Sequence, residues 1–177
     1  MERTDITKRS EYDIRYFEET DLIFLKNLLL REEICQWFPL SSEEDVDLFL
    51  KNWINFARFK CALTALYEGH PIGFGSIFLL PYRKVAIHTL GYLLVDPRFQ
   101  RMGVGTSLLR NMIHLSRNFK IIETIQIEMY EGCPIESLLR RLSFQEMFVQ
   151  KGFIKIAEPQ PHYKARIVFE RSNQLEV

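Results

Sequence analysis

Helical and extended periodicities alternate along this chain in an order that predicts an α/β (α+β) protein. The expected sheet is mixed and mostly antiparallel, flanked by helices, with one central parallel strand pair. Three observations carry that expectation. From Cys61 to Val95, three extended stretches follow one another through short turns, and strands joined in this way must run antiparallel. A loop with two glycines then feeds an amphipathic segment, Thr106 to Phe119. Finally, the strand Thr124 to Tyr130 is reached through that crossover helix, so it is expected to run parallel to the strand before it.

Composition narrows the class. With 177 residues, 47% of them hydrophobic and 13% aromatic, the chain can bury a sizeable core and is not disordered. One domain is expected over residues 1–177, with the polar stretch Met1 to Glu11 as a flexible N-terminal segment. Lys plus Arg and Asp plus Glu balance at 23 each, so no bulk field draws nucleic acid or an anionic membrane, and neither is expected as a partner. Cys35, Cys61 and Cys133 form no CxxC pair and are odd in number, which fits a reducing compartment. The polar N-terminus is unlike a signal peptide and no apolar run spans a bilayer, so a cytoplasmic location is expected. His70, His88, His114 and His162 lack metal-ligand spacing, and no metal is expected. Monomer and homodimer both remain open.

Tyr12 to Phe17 alternates as a first strand. Thr20 is placed to N-cap a helix whose apolar face is Leu22, Leu25, Leu28 and Leu29, with Asp21 in its first turn. After the greasy connection Ile34 to Pro39, Ser41 and Glu44 form a capping box. Val46, Phe49, Leu50, Trp53 and Phe56 then stripe a second helix. Cys61 to Tyr67, Ile72 to Leu80 and Val85 to Val95 are the three strands, with turns at Glu68 to Pro71 and Pro81 to Lys84. Past Pro134, Ile135, Leu138, Leu139 and Leu142 keep helical spacing. Two registers follow. In one, the helix ends near Ser143, and Phe144 to Ile156 pairs with His162 to Glu170 as a terminal hairpin. In the other, the helix runs to Lys151 with Gly152 as its C-cap.

The functional signal lies in Leu90 to Thr106, where an apolar strand meets Pro97 and a loop with Gly103 and Gly105 opens a helix. The N–H groups at a helix start lack intrahelical partners, the dipole favours negative charge there, and glycine permits close approach. Together these features describe a phosphate cradle. A P-loop needs a lysine directly after its last glycine, but Thr106-Ser107 stand there. A dinucleotide fingerprint needs a third glycine where Leu108 sits, and it does not follow antiparallel hairpins. An acyl-CoA cradle and an ordinary tight turn before a helix remain.

Gln100-Arg101-Met102-Gly103-Val104-Gly105, following Val95-Asp96-Pro97, is similar to the Q/R-x-x-G-x-G/A signature of the GNAT N-acetyltransferases. The order of elements matches as well, from Tyr12 to Arg171. The chain most resembles the branch acting on protein N-terminal and small-molecule amines. Members of that branch carry a Trp-Phe-Pro-like loop and a Pro-Ile-Gly-Phe turn, as at Trp37-Phe38-Pro39 and Pro71 to Phe74. The resemblance implies acetyl-CoA as cofactor and a primary amine, on a small molecule or a protein, as acceptor. It also implies that the strand ending at Leu93, Leu94 and Val95 splays from Thr124–Tyr130 so that pantetheine pairs with its backbone. The pyrophosphate would rest on the N–H groups of Arg101, Met102, Gly103, Val104, Gly105 and Thr106, with Gln100 leading the loop and Arg98 and Arg101 adding charge.

Acetyl transfer to an amine needs polarisation of the thioester carbonyl, a base for the amine and an acid for the leaving thiolate. A backbone N–H near Leu93 or Leu94 serves the first need, as in the family. Leu90 stands where the family often has a carboxylate. Glu128 is the first choice of base because alternation puts it on one face with Gln126 and Tyr130, with His88 and Tyr92 as substitutes. The family's acid tyrosine is replaced by Leu139 in the hairpin register and by Phe148 in the long-helix register, and Cys133 replaces an asparagine. Tyr130, Tyr163 or water is then the proton donor. Trp37 and Phe38 either wall the acceptor pocket or cap the core. The expected function is acetyl-CoA-dependent N-acetyl transfer by direct attack. The alternative is a catalytically impaired acyl-CoA-binding or regulatory module of the same fold.

Overall fold

The computed structural model describes residues 12–38, 40, 42–79, 88–157 and 160–176, with the backbone but not the side chain of His88. The expectations for residues 1–11, for the turn at Pro81 to Lys84, for Val85 to Ile87 and for the imidazole of His88 lie outside the described residues.

Strand β1 (Asp13–Tyr16) leads through a 3-10 turn, Glu19–Asp21, into helix α1 (Leu22–Leu29). Thr20 is not the cap. Glu18 is the N-cap of the 3-10 turn and Asp21 occupies that of α1, with its carboxylate turned inward and buried. Its carboxylate accepts from Arg15 Nη1 at 2.7 Å, Arg15 Nη2 at 2.9 Å, Thr64 Oγ1 at 2.7 Å and the Glu18 N–H at 3.0 Å. This set of donors outcompetes a single capping hydroxyl.

A short helix α2 (Glu32–Cys35) precedes α3 (Glu43–Ala57). The capping box of α3 is Ser42 with Asp45, one residue beyond the expected Ser41 and Glu44. Ser42 Oγ accepts from the Asp45 N–H, and the Asp45 carboxylate accepts from the Ser42 N–H, both at 3.1 Å. Val46, Phe49, Leu50 and Trp53 are buried along the stripe.

Strands β2 (Ala62–Tyr67), β3 (His70–Phe78) and β4 (His88–Val95) pair antiparallel in succession. The first turn is tighter than expected. Glu68 and Gly69 alone form it, at φ 49° and 79°, the left-handed geometry of a two-residue hairpin loop. Pro71 to Phe74 therefore lies within β3 and is not a turn. Helix α4 (Val104–Ser116) leads to β5 (Thr124–Tyr130), which runs parallel to β4.

The hairpin register is the observed one. Helix α5 (Glu136–Arg141) stops before Ser143, which turns left-handed at φ 65°. Strand β6 (Gln145–Ile156) pairs with β7 (His162–Ser172). Leu139, Leu142 and Phe144 are all buried in one cluster, and a helix continued to Lys151 could not supply the strand that lies beside β7.

The seven strands make one sheet in the order β1-β2-β3-β4-β5-β7-β6. Alternation divides the core. One face packs Leu108, Met112 and Leu139 of α4 and α5 against Leu63, Ile77, Ile125 and Ile127. The other packs α1 and α3 against Phe74, Phe78 and Leu94. Helix α4 comes close to the sheet because glycine lies beneath it. A Cβ at Gly75 would sit 2.7 Å from Met112 Sδ.

Candidate active site

The site begins where the sheet opens. Strands β4 and β5 pair at His88↔Thr124, Thr89↔Ile125 and Leu90↔Gln126, and the ladder then stops. From Gly91 to Val95, β4 continues to pair with β3 only, while β5 stays on β7 to its end. A wedge therefore separates two strand edges in the middle of the sheet. Each edge presents backbone N–H and C=O groups without a strand partner, which a ligand with amides can pair.

At the broad end of the wedge lies the glycine loop. Gln100 Nε2 donates to the Val95 carbonyl at 3.1 Å, folding the loop back over the strand end. Arg101 and Gly103 are both left-handed, at φ 65° and 88°, and Met102 between them is exposed. Gly103 caps α4, and the Ser107 N–H donates to the Gly103 carbonyl at 3.0 Å. The N–H groups of Val104, Gly105 and Thr106 precede that bond and are free of the helix ladder. Val104 anchors the turn in the core at 1% exposure. Gly105 is pressed between the strand end and α5. A Cβ there would lie 3.4 Å from Leu138, 3.7 Å from Val95 and 3.8 Å from Leu93. Tyr12 Oη, bonded to Ser107 Oγ at 2.7 Å, braces the first turn of the helix.

Two arginines behave differently from one another here. Arg98 turns to the buried Asp96, donating from Nε at 3.1 Å and Nη2 at 2.8 Å, and Arg31 reaches the same carboxylate at 3.1 Å. Burial alone would raise the Asp96 pKa, but these guanidinium contacts and the Arg98 N–H hold it below the usual carboxylate range. Arg98 thus secures the turn. Arg141, at the end of α5, reaches Thr106 Oγ1 at 3.4 Å, beside the loop. The basic pair Arg140-Arg141 is visible in the sequence as a possible phosphate contact, but the 35 residues between Arg141 and Thr106 are closed only by packing α5 against α4.

Tyr92 of β4 and Glu128 and Tyr130 of β5 share the α3 face of the wedge, and Tyr92 feels the charge of Glu128. Both Glu128 oxygens are taken by Arg166 of β7, with Nε at 3.1 Å from Oε2 and Nη2 bonded to Oε1. Burial, with the Glu128 charge added, pushes the Tyr92 hydroxyl pKa up. Tyr130, 5% exposed, is likewise pushed up by burial; Arg166 pulls it down and Glu128 lifts it. Both phenols are therefore neutral donors at neutral pH. Phe38 stacks on Tyr92 with centroids 6.5 Å apart and meets Phe49 at 6.0 Å. Trp37 instead reaches the far end of β5, where a Cβ at Gly132 would be 4.0 Å from its ring. Lys164 Nζ stands 4.4 Å from its centroid. The structure thus brings Trp37 and Phe38 to the same face as Glu128 and Tyr130. Leu139 is fully buried in the core, and Tyr163 is 63% exposed. Burial raises the half-buried Cys133 thiol pKa, the reverse of what an acyl-accepting thiolate needs. Among the described residues, no group of three or more His, Cys, Asp or Glu is placed to hold a metal.

The model of the acetyltransferase (GNAT) family matches residues 26–132, more than half of the chain, from α1 to just past β5. The chain belongs to the GNAT acetyltransferase family. No curated protein matches the sequence. Solved structures share the GNAT fold at low identity. A GNAT-family acetyltransferase from Streptococcus pneumoniae aligns with a TM-score of 0.74 and 19% identity, over 92% of this chain and 99% of its own. A ribosomal-protein-alanine N-acetyltransferase from Brucella melitensis gives 0.72 and 18%, over 90% and 99%. A phosphinothricin acetyltransferase from Sinorhizobium meliloti, in complex with AcCoA, gives 0.74 and 15%, over 91% and 88%. No described helix is long and apolar enough to cross a membrane.

Proposed function

We propose that this protein binds acetyl-CoA in the wedge between β4 and β5 and transfers the acetyl group to a primary amine. The observation that carries the proposal is the end of the β4–β5 ladder at Leu90, directly before a left-handed loop that opens α4. The unpaired edge of Gly91 to Val95 suits the pantetheine amides. The N–H groups from Arg101 to Thr106 suit the pyrophosphate, with Arg101 adding charge and Gln100 holding the loop in place. Bound acetyl-CoA supplies an acetyl group already activated as a thioester.

The residues of the chain do the rest. A backbone N–H at Leu93 or Leu94 polarises the acetyl carbonyl. Glu128 is the base that takes the proton from the attacking amine, directly or through a water, using lone pairs that Arg166 leaves open. Tyr130, kept protonated by burial, returns a proton to the departing sulfur. Trp37 and Phe38 wall the acceptor. Titration calorimetry with acetyl-CoA tests the cofactor assignment, and no heat and no thermal shift at millimolar ligand overturns it.

The clamp on Glu128 and the burial of Leu139 favour one competing reading, a module that binds acyl-CoA without turnover. A thiol-release assay over peptides, polyamines and small amines separates the two. Binding with no release across the panel supports the module.

A further inference from the structure

The face that carries Tyr92, Glu128 and Tyr130 carries two cations from β7. Residues opposite one another across β5 and β7 share a face, so Arg166, opposite Tyr130, lies on it, and alternation adds Lys164. The two are in different electrostatic situations. Arg166 is matched by Glu128 in a two-point contact, and that pair is close to neutral as a unit. Lys164 is half-buried with its Nζ over Trp37, and among the described residues no carboxylate forms an ion pair with it.

The surrounding carboxylates are held elsewhere. Glu131 accepts from the Ala165 N–H at 3.2 Å, Glu136 pairs with Arg140 at 2.8 Å, and Glu170 takes Gln126 Nε2 at 2.7 Å. An ammonium partly withdrawn from water against an aromatic face gains from an added counter-charge. Its position is equally informative. Lys164 lies two residues beyond Arg166, about 7 Å further along β7, past the end of β5 and against the Trp37 wall.

We propose that the acceptor is a small amine bearing a carboxylate or similar oxyanion within a few carbons of its nitrogen, and that Lys164, steadied over Trp37, binds that oxyanion. This rests on the acetyl-transfer reading above. It places the reacting nitrogen beside Glu128 and Tyr130 and the anion at the outer end of the same face. The uncompensated charge of Lys164 disfavours polycationic acceptors such as polyamines at the same place.

Thiol release with acetyl-CoA over matched pairs tests this, each pair an α-, β- or γ-amino acid and its carboxamide. The acid of at least one pair is expected to show a KM about 10- to 100-fold lower than its amide, the range of one charge-assisted contact. Lys164→Gln closes that gap through KM with little change in kcat, Lys164→Arg keeps most of it, and the KM for acetyl-CoA stays in place in both. Equal use of acid and amide overturns the proposal, as does an acid preference that survives Lys164→Gln. If no acceptor turns over, calorimetric titration of the same pairs into the CoA-saturated protein decides. Tighter binding of an acid supports the proposal, and no preference overturns it. Failure to bind acetyl-CoA, seen before any acceptor is added, overturns the acetyl-transfer reading and this inference with it.

Discussion

Gly103 shows how much of the glycine loop hangs on one backbone conformation. It sits at φ 88° and ψ −4°, and a Cβ there would meet only Tyr12 Oη, at 3.4 Å. The demand for glycine is thus one of strain rather than of space, since an L-residue in the left-handed region costs about 1–2 kcal/mol. Gly103→Ala is expected to lower Tm by a few degrees and to weaken acetyl-CoA binding by about tenfold. Calorimetry and a thermal melt would check both. On the other side of the wedge, Tyr130→Phe keeps the ring packed near Phe153, 6.2 Å away, and removes only the hydroxyl. If that hydroxyl returns the proton to sulfur, kcat falls toward the low end of the 10²–10⁴ range for a positioned acid, because a thiolate is already a fair leaving group. Tm should be unchanged. An unaltered kcat would pass the role to Tyr92 or water.

Among the elements, α4 matters most, because it joins the loop to the core. Its buried stripe of Val104, Leu108, Met112 and Leu115 was legible from spacing alone, though the helix begins at Val104 rather than Thr106. Its closeness to the sheet was not legible. Gly73, Gly75 and Gly91 lie within strands, and they are where the helix rests. Gly75→Ala would drive a Cβ to within 2.7 Å of the fully buried Met112 Sδ, and α4 would have to lift. A loss of about 1–3 kcal/mol is expected in urea unfolding. Acetyl-CoA affinity should fall with it, because the N-terminus of α4 moves relative to the end of β4. A stability loss with affinity intact would show that the loop is held by Tyr12 and Gln100 rather than by the helix.

The molecule as a whole is sensitive to acid through buried carboxylates. Burial alone would raise the Asp21 pKa, but Arg15, the Glu18 N–H and Thr64 outweigh it and hold the pKa below the ordinary value. Asp96 behaves in the same way through Arg98 and Arg31. A carboxyl whose folded pKa is depressed stabilises the protein fully above its unfolded value, about 4. It loses that contribution as pH falls through the folded value. Tm should therefore be flat with respect to these groups above about pH 5 and decline below pH 4. Asp21→Asn should melt lower than wild type at neutral pH, and the difference should narrow in acid. A constant difference across pH would mean that packing, not charge, holds Asp21.

Periodicity and turn residues were enough to place the strands, the longer helices and the glycine loop, because each depends on contacts a few residues apart, but they gave no sign of the short helix α2. The same local rules left α5 in two registers and set the caps of α1 and α3 off by a residue or more. For α1 and α5 the outcome turned on a partner elsewhere in the chain: Thr64 for Asp21, and β7 for the segment after Ser143. The face bearing Glu128 was the least legible of all. Alternation put Glu128, Gln126 and Tyr130 on one face, but Arg166 and Lys164 join them only through the β5–β7 register, and Trp37 only through the path of α2. A sequence encodes which side chains can bond, whereas the summed packing of both sheet faces selects which of them meet. The glycine loop itself is built from neighbours in the chain and could be read directly. The face bearing Glu128 gathers residues from Trp37 to Arg166, brought together only by sheet register and helix packing, and could not.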